Sequence, residues 1–206
     1  MNTILIPRFL KMCLIISLGV VISGCASLSK DECLQGRWQD IGYEDGSKGY
    51  VVTRFESHRK ACAEHGVTAD FRAYEAGYHD GLRYFCAPAN GLRVGEQGAV
   101  YEWICPPELE PGFVRQYLLG LENRHRDIGH TRDRVRDDLY QCLADLRRTD
   151  NKDAREELNR RIDSLESELD SLKSESDDMY SLIERARQRL DDIRYRRDQG
   201  GYKRMN

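Results

Sequence analysis

The side chains with the widest chemical repertoire in this 206-residue chain are its seven cysteines, at positions 13, 25, 33, 62, 86, 105 and 142. A thiol can ligate a metal, act as a nucleophile, carry a lipid or close a disulfide, and spacing separates these uses. No Cys-x-x-Cys occurs, and His58, His65, His79, His125 and His130 stand at no ligand spacing with the cysteines, which argues against a metal site. A nucleophile elbow, a His-Glu-x-x-His pair, a phosphate-binding loop and a dinucleotide fingerprint are all missing. Carboxylate neighbours such as Glu44 and Asp45 diverge when they sit on a helix. The chain is therefore expected to be no enzyme and to use no cofactor. A formal charge of −3 and a pI near 6.0 give no global basic field, so nucleic acid is not an expected partner.

Cys25 has the clearest assignment. Arg8 and Lys11 precede an apolar-rich run from Met12 to Ile22, 11 residues long, whereas a membrane-spanning helix needs about 20 to cross roughly 30 Å of hydrocarbon. The run ends in Ile22-Ser23-Gly24-Cys25, which resembles the lipobox of bacterial lipoproteins, in which the cysteine is acylated and becomes the first residue after cleavage. That resemblance implies a signal peptide over 1–24 and acyl chains, palmitate among them, on Cys25. Several chains hold a protein far more firmly than one, since each buried methylene adds about 0.8 kcal/mol. Ala26 in place of Asp, by resemblance to lipoprotein sorting, implies the outer membrane, facing the periplasm.

An oxidising periplasm makes the remaining cysteines disulfide candidates. Cys33, Cys62, Cys86 and Cys105 allow three connectivities; Cys33 with Cys62 and Cys86 with Cys105 is preferred, because each pair joins consecutive segments. Cys142 is left over, as a buried free thiol or, less favoured, an intermolecular bridge.

These cysteines need helices to position them. Ser29-x-x-Glu32 and Thr53-x-x-Glu56 have capping-box spacing, predicting one helix from there to about Ser47 and another to His65, ended by Gly66. Thr68 should cap a third, reaching Phe85. Four prolines and three glycines between Ala87 and Pro111 predict an ordered loop, and Pro111 suits the first turn of a fourth helix. Gly42-Tyr43-Glu44-Asp45-Gly46 is echoed by Gly77-Tyr78-His79-Asp80-Gly81 at an offset of 35 residues. Glycine costs a helix nearly 1 kcal/mol relative to alanine, so tight crossing of the two helices is the expected return. The alternative is a paired ligand groove lined by Tyr43, Asp45, Tyr78 and Asp80.

Asp31-Glu32-Cys33, Trp38, the first glycine block, His58-Arg59-Lys60-Ala61-Cys62, His65-Gly66-Val67, Tyr74, Gly77, Gly81-Leu82, Tyr84, Cys86, Asn90-Gly91, Gly95, Gly98, Tyr101 and Cys105-Pro106 together resemble a family of bacterial envelope lipoproteins classed as a domain of unknown function. The likeness spans about Asp31 to Gly120. It implies a small cysteine-containing helical domain behind a lipobox and brings no catalytic residue with it.

Beyond Gly120 the composition changes: Leu121 to Gly200 carries 39 charged residues in 80, against 24 in 95 for Ala26 to Gly120. From Leu158 through Ile193 the steps alternate four and three, with ten of eleven positions apolar, which is a coiled-coil seam. Val135, Leu139, Cys142 and Leu146 keep the same alternation but miss the phase of Leu158 by two residues. The polar stretch Thr149 to Asp153 lies at the break, and two antiparallel helices joined there explain it better than a continuous self-associating rod. The expected architecture is thus all-α: a disulfide-stapled helical domain at 25–120, a charged hairpin or coiled coil at 121–199 and a basic tail at 200–206. The expected role is a membrane-tethered scaffold that meets a protein partner or itself through the coiled coil. A periplasmic module binding a peptide, glycan or small ligand is the alternative.

Overall fold

The structure, a computed structural model, describes residues 27–204, with the side chains of 200–204 excluded; the expected signal peptide and the expected lipidation site at Cys25 lie outside the described residues. Seven α-helices follow in order: α1 (Lys30–Gln35), α2 (Trp38–Lys48), α3 (Phe55–Ala63), α4 (Phe71–Phe85), α5 (Pro88–Glu96), α6 (Glu110–Arg148) and α7 (Lys152–Arg204), with a 3-10 turn at Val52–Arg54. Among the described residues there is no strand. The chain divides into two compact units, residues up to 37 with 53–70, and residues 38–52 with 71 onward.

In the first unit the Ser29 box forms as expected: the Glu32 N–H donates to Ser29 Oγ (3.3 Å) and the Ser29 N–H to Glu32 Oε2 (2.7 Å). The predicted long helix is nevertheless two helices. Gly36, at φ 61°, turns the chain left-handed and ends α1 after six residues. The Thr53 box does not form, because the chain enters α3 through the 3-10 turn and the cap residue is Arg54 in helical conformation (φ −57°, ψ −28°), where a capping side chain has no reach to the first amides. The Cys33–Cys62 disulfide, both sulfurs fully buried, joins α1 to α3, and His58 Nδ1 lies 3.0 Å from Ser27 Oγ.

The second unit is built from two helix crossings and a hairpin. In the first crossing, α2 meets α4. A Cβ at Gly42 would stand 1.9 Å from the Tyr74 carbonyl oxygen, and one at Gly77 would stand 1.9 Å from that of Gln39, so the two glycine steps exist for backbone approach. The second crossing was not foreseen. The stretch expected to be loop contains α5, which Pro88 opens at a position where a missing N–H costs nothing. Its glycines do not break it, because they are contact points: a Cβ at Gly91 would meet the Phe113 carbonyl at 2.4 Å, and one at Gly95 would meet that of Tyr117 at 2.2 Å.

The two crossings are copies of one unit. Gly42, Gly46 and Gly49 correspond to Gly91, Gly95 and Gly98 at one constant offset, and Tyr74, Tyr78, Gly81 and Leu82 correspond to Phe113, Tyr117, Gly120 and Leu121 at another. Gly49 (φ 78°) and Gly98 (φ 65°) both turn left-handed after the first helix. The next residue's N–H then returns to the equivalent carbonyl in each copy, Tyr50 to Asp45 (3.0 Å) and Ala99 to Val94 (3.1 Å). Both tyrosines lock that strap: Tyr78 Oη donates to the Tyr50 carbonyl and Tyr117 Oη to that of Ala99, each at 2.8 Å.

Past Gly120, α6 continues without interruption to Arg148, so the boundary expected at 120/121 falls inside one helix. Thr149-Asp150-Asn151 turns the chain, and α7 returns antiparallel, giving the hairpin anticipated from the phase break. Asn151 caps it, accepting from the Ala154 N–H at 3.0 Å. Val135, Cys142, Ile162 and Leu165 are the buried seam, flanked by Leu139, Leu146, Leu158, Leu169 and Leu172. Cys142 is the buried free thiol expected from its seam position. Further along, Met179, Leu182, Ile183 and Ala186 are buried where α7 lies beside the second crossing. No helix of the described residues is long and apolar enough to cross a membrane.

Candidate functional site

A groove of about 700 Å³ in the second unit is built on α4. The α2–α4 crossing sets its floor. Tyr78 and Leu82 face it from α4, and the Tyr78 hydroxyl, by holding the strap after Gly49, brings Val51 and Val52 alongside as one wall. The opposite wall is Ile104 to Pro107, fixed by the Cys86–Cys105 disulfide, the second of the two expected pairings (Cα–Cα 5.7 Å). Glu75, His79, Arg83 and Glu108 stand at the rim with both charge signs. Its volume lies within the range typical of ligand sites.

Burial pushes the Tyr78 phenol up to about 12, and the nearby Asp45 carboxylate adds to this against a backbone hydrogen bond from Val52. That hydroxyl is a structural donor and supplies no nucleophile or base at neutral pH. Among the described residues no three His, Cys, Asp or Glu side chains converge as a metal set would. The groove's chemistry is that of binding: an apolar floor with a polar, mixed-charge edge.

The four residues considered from sequence do not line one groove. Asp45 is 5% exposed and accepts from Tyr74 Oη at 2.8 Å inside the crossing, and Tyr78 is buried beside it. Tyr43 and Asp80 are exposed on outer surfaces. A spacing of two residues along a helix turns side chains to different faces, so each Tyr-x-Asp pair splits between core and solvent. Only Tyr78 reaches the groove. The strap valines and the Ile104–Pro107 wall were missed because their positions depend on a disulfide and a tyrosine lock distant in sequence.

A second cluster lies at the foot of α7. Glu110, 3% exposed, takes a two-pronged contact from Arg189 (Nε to Oε1 2.6 Å, Nη2 to Oε2 2.9 Å). The same guanidinium sits 5.9 Å over the Trp103 ring. Trp103 is, among the described residues, the one non-glycine in left-handed conformation (φ 56°), a strain of about 1–3 kcal/mol. It is held by Tyr101 edge-on at 4.9 Å, while Tyr101 Oη accepts from the Cys105 N–H (2.9 Å). Arg189 thus fastens α7 to both the start of α6 and the loop that walls the groove.

Residues 37–122 match the model of a family described as a protein of unknown function, DUF2799. The match takes in both helix crossings and the groove and stops shortly after Gly120. No curated protein and no solved structure matches the chain.

Proposed function

We propose that this chain is a lipid-anchored, periplasm-facing scaffold of the bacterial outer membrane that presents a protein-binding surface on its helical hairpin. The lipobox ending at Cys25 with Ala26 after it supports the tether and its membrane, and two disulfides suit an oxidising compartment. The observation that carries the reading is the continuity of α6. One 39-residue helix, about 58 Å at 1.5 Å per residue, is both the second helix of a glycine crossing and the first arm of the hairpin. A load taken at the hairpin's end therefore reaches the compact part without passing a hinge. The apolar seam is used inside the hairpin, so a partner would meet the outer faces near its end, where Tyr140 is 61% exposed.

The test is an internal deletion. Residues 132–168 are replaced by a short Gly-Ser turn, which leaves the Glu110–Arg189 contact and the Met179 region in place. In-cell crosslinking of the full chain followed by mass spectrometry should yield a partner that the shortened chain loses. A partner retained by the shortened chain overturns the reading. Cys25→Ser should release the protein from the membrane fraction, and retention would remove the tether from the proposal. A second reading, a periplasmic binding module, is favoured by the groove on α4.

A further inference from the structure

The internal duplication makes the groove interpretable, because the same face of the second copy is already occupied. There α7 is the occupant: Met179 packs at Gly98, Arg187 donates to Glu122 (2.9 Å) and Arg189 to Glu110, while Arg185 lies close enough to Tyr117 to act on its phenol. Transferred to the first copy, Tyr117 becomes Tyr78, Glu122 becomes Arg83 and Glu110 becomes Phe71. Tyr78 and Arg83 line the groove, and Phe71 is 43% exposed one helical turn before Glu75 at its rim. Outside the Gly49 corner, where its own Phe85 takes the place of Met179, the first copy thus offers the surface that a helix covers in the second, with the charge at the pairing position reversed.

We propose that the groove is the docking site for an amphipathic α-helix of a partner protein, seated on the first copy as α7 seats on the second. Its apolar face would meet Val52, Tyr78 and Ile104, a carboxylate would reach Arg83, and an apolar residue would stand over Phe71 where α7 uses Arg189. Helix-in-groove recognition needs an apolar floor with charged edges that fix register, and the rim supplies both signs. The proposal rests on reading the chain as a protein-interaction component and deepens the binding-module form of it. It requires neither the lipid tether nor the end of the hairpin.

The test uses the full chain carrying Cys25→Ser and two labelled peptides. One, unaltered at its charges, is residues 176–192 of α7 with Met179→Ala, because Phe85 fills that place on the first copy; the altered one carries Arg187→Glu and Arg189→Leu as well, matched to Arg83 and Phe71. Fluorescence anisotropy should show the altered peptide binding at least tenfold more tightly than the unaltered one. Arg83→Glu should reverse that order, and Val52→Asp should weaken both at least tenfold, with circular dichroism unchanged in each variant. Absence of saturable binding by the altered peptide at millimolar concentration, or indifference to Arg83→Glu, overturns the proposal. Saturable palmitate uptake lost in Val52→Asp, without peptide binding, would assign the groove to an acyl chain. A dimer that dissociates on Arg83→Glu would assign it to a second copy, and either result also overturns the helix. Because peptide binding is read without the hairpin's partner, the groove and the hairpin reading can fail separately.

Discussion

Alanine at Gly42 and alanine at Gly129 should have opposite effects, although both residues lie inside helices. Helix propensity alone favours each change by about 1 kcal/mol. At Gly129 nothing lies within 4 Å of the added Cβ, so that gain should survive as a stabilisation of about 0.5–1 kcal/mol. At Gly42 the Cβ would stand 1.9 Å from the Tyr74 carbonyl oxygen and 2.9 Å from the Tyr78 nitrogen, both backbone atoms that no rotamer can move. Relief requires α2 and α4 to separate by about 1 Å, a gap that forfeits about half of each dispersion contact along the crossing. Overpacking of this kind costs about 1–3 kcal/mol, and the rigid neighbours put Gly42→Ala at the upper end, near 2 kcal/mol net of propensity. For a chain of this size about 1 kcal/mol moves Tm by roughly 2–4 °C. Thermal unfolding followed by circular dichroism should place Gly42→Ala about 4–8 °C below the parent and Gly129→Ala about 1–4 °C above it. Equal or higher stability for Gly42→Ala would refute the account of the glycine steps as contact points, and a destabilised Gly129→Ala would refute the use of Cβ clearance to tell the two classes apart.

Arg189→Ala leaves the Glu110 carboxylate buried without its partner, which costs several kcal/mol for a fully enclosed pair. With the Arg189 side chain 28% exposed, about 2 kcal/mol is expected, recovered in part by adding Glu110→Gln, and a double-mutant cycle in urea measures it. Tyr78, Tyr101 and Tyr117 all have phenols raised above the ordinary value of 10.0, by burial first in every case. A phenol raised on folding contributes stability that is intact below pH 10 and lost as pH climbs towards the folded value, about 12 for Tyr78. Each such group steepens the loss by about 1.4 kcal/mol per pH unit. Urea midpoints should therefore fall above pH 10, and fall less steeply in Tyr117→Phe. A parent-like slope in that variant would contradict the burial of its hydroxyl.

The hairpin was legible because its signal is local. The seam period over Leu158–Ile193 and the two-residue phase error at Thr149–Asp153 both follow from 3.6-residue geometry, as does the inward position of Cys142. The Cys33–Cys62 and Cys86–Cys105 pairings, together with the approach of Gly42 and Gly46 to Gly77 and Gly81, were legible from residue type and order. Helix α5 was not, since Pro88, Gly91, Gly95 and Gly98 are individually turn formers and only their contact with α6 makes the stretch helical. The 42–46 and 77–81 echo also drew attention to helices that touch, when the true repeat pairs each with a helix of the other crossing. Comparing Gly-x-x-x-Gly-x-x-Gly at 42–49 with 91–98, and Tyr-x-x-Gly-Leu at 78–82 with 117–121, would have revealed it. The groove needed that repeat, a tyrosine lock and a disulfide at once.

The two copies differ most where they meet their surroundings. Behind the left-handed glycine of the first copy stands Phe85, at the end of its own second helix: a Cβ at Gly49 would lie 2.2 Å from that ring. Behind Gly98 stands Met179, supplied by α7, with a Cβ there meeting its methyl at 3.0 Å. The first copy therefore closes this corner with its own residue, whereas the second depends on a helix from elsewhere in the chain. Arg83 in place of Glu122 carries the difference further, because a helix bearing Arg187 would meet like charge on the first copy. An unmodified α7 is thereby directed to the second copy, while the first keeps its apolar groove open to a helix of opposite charge.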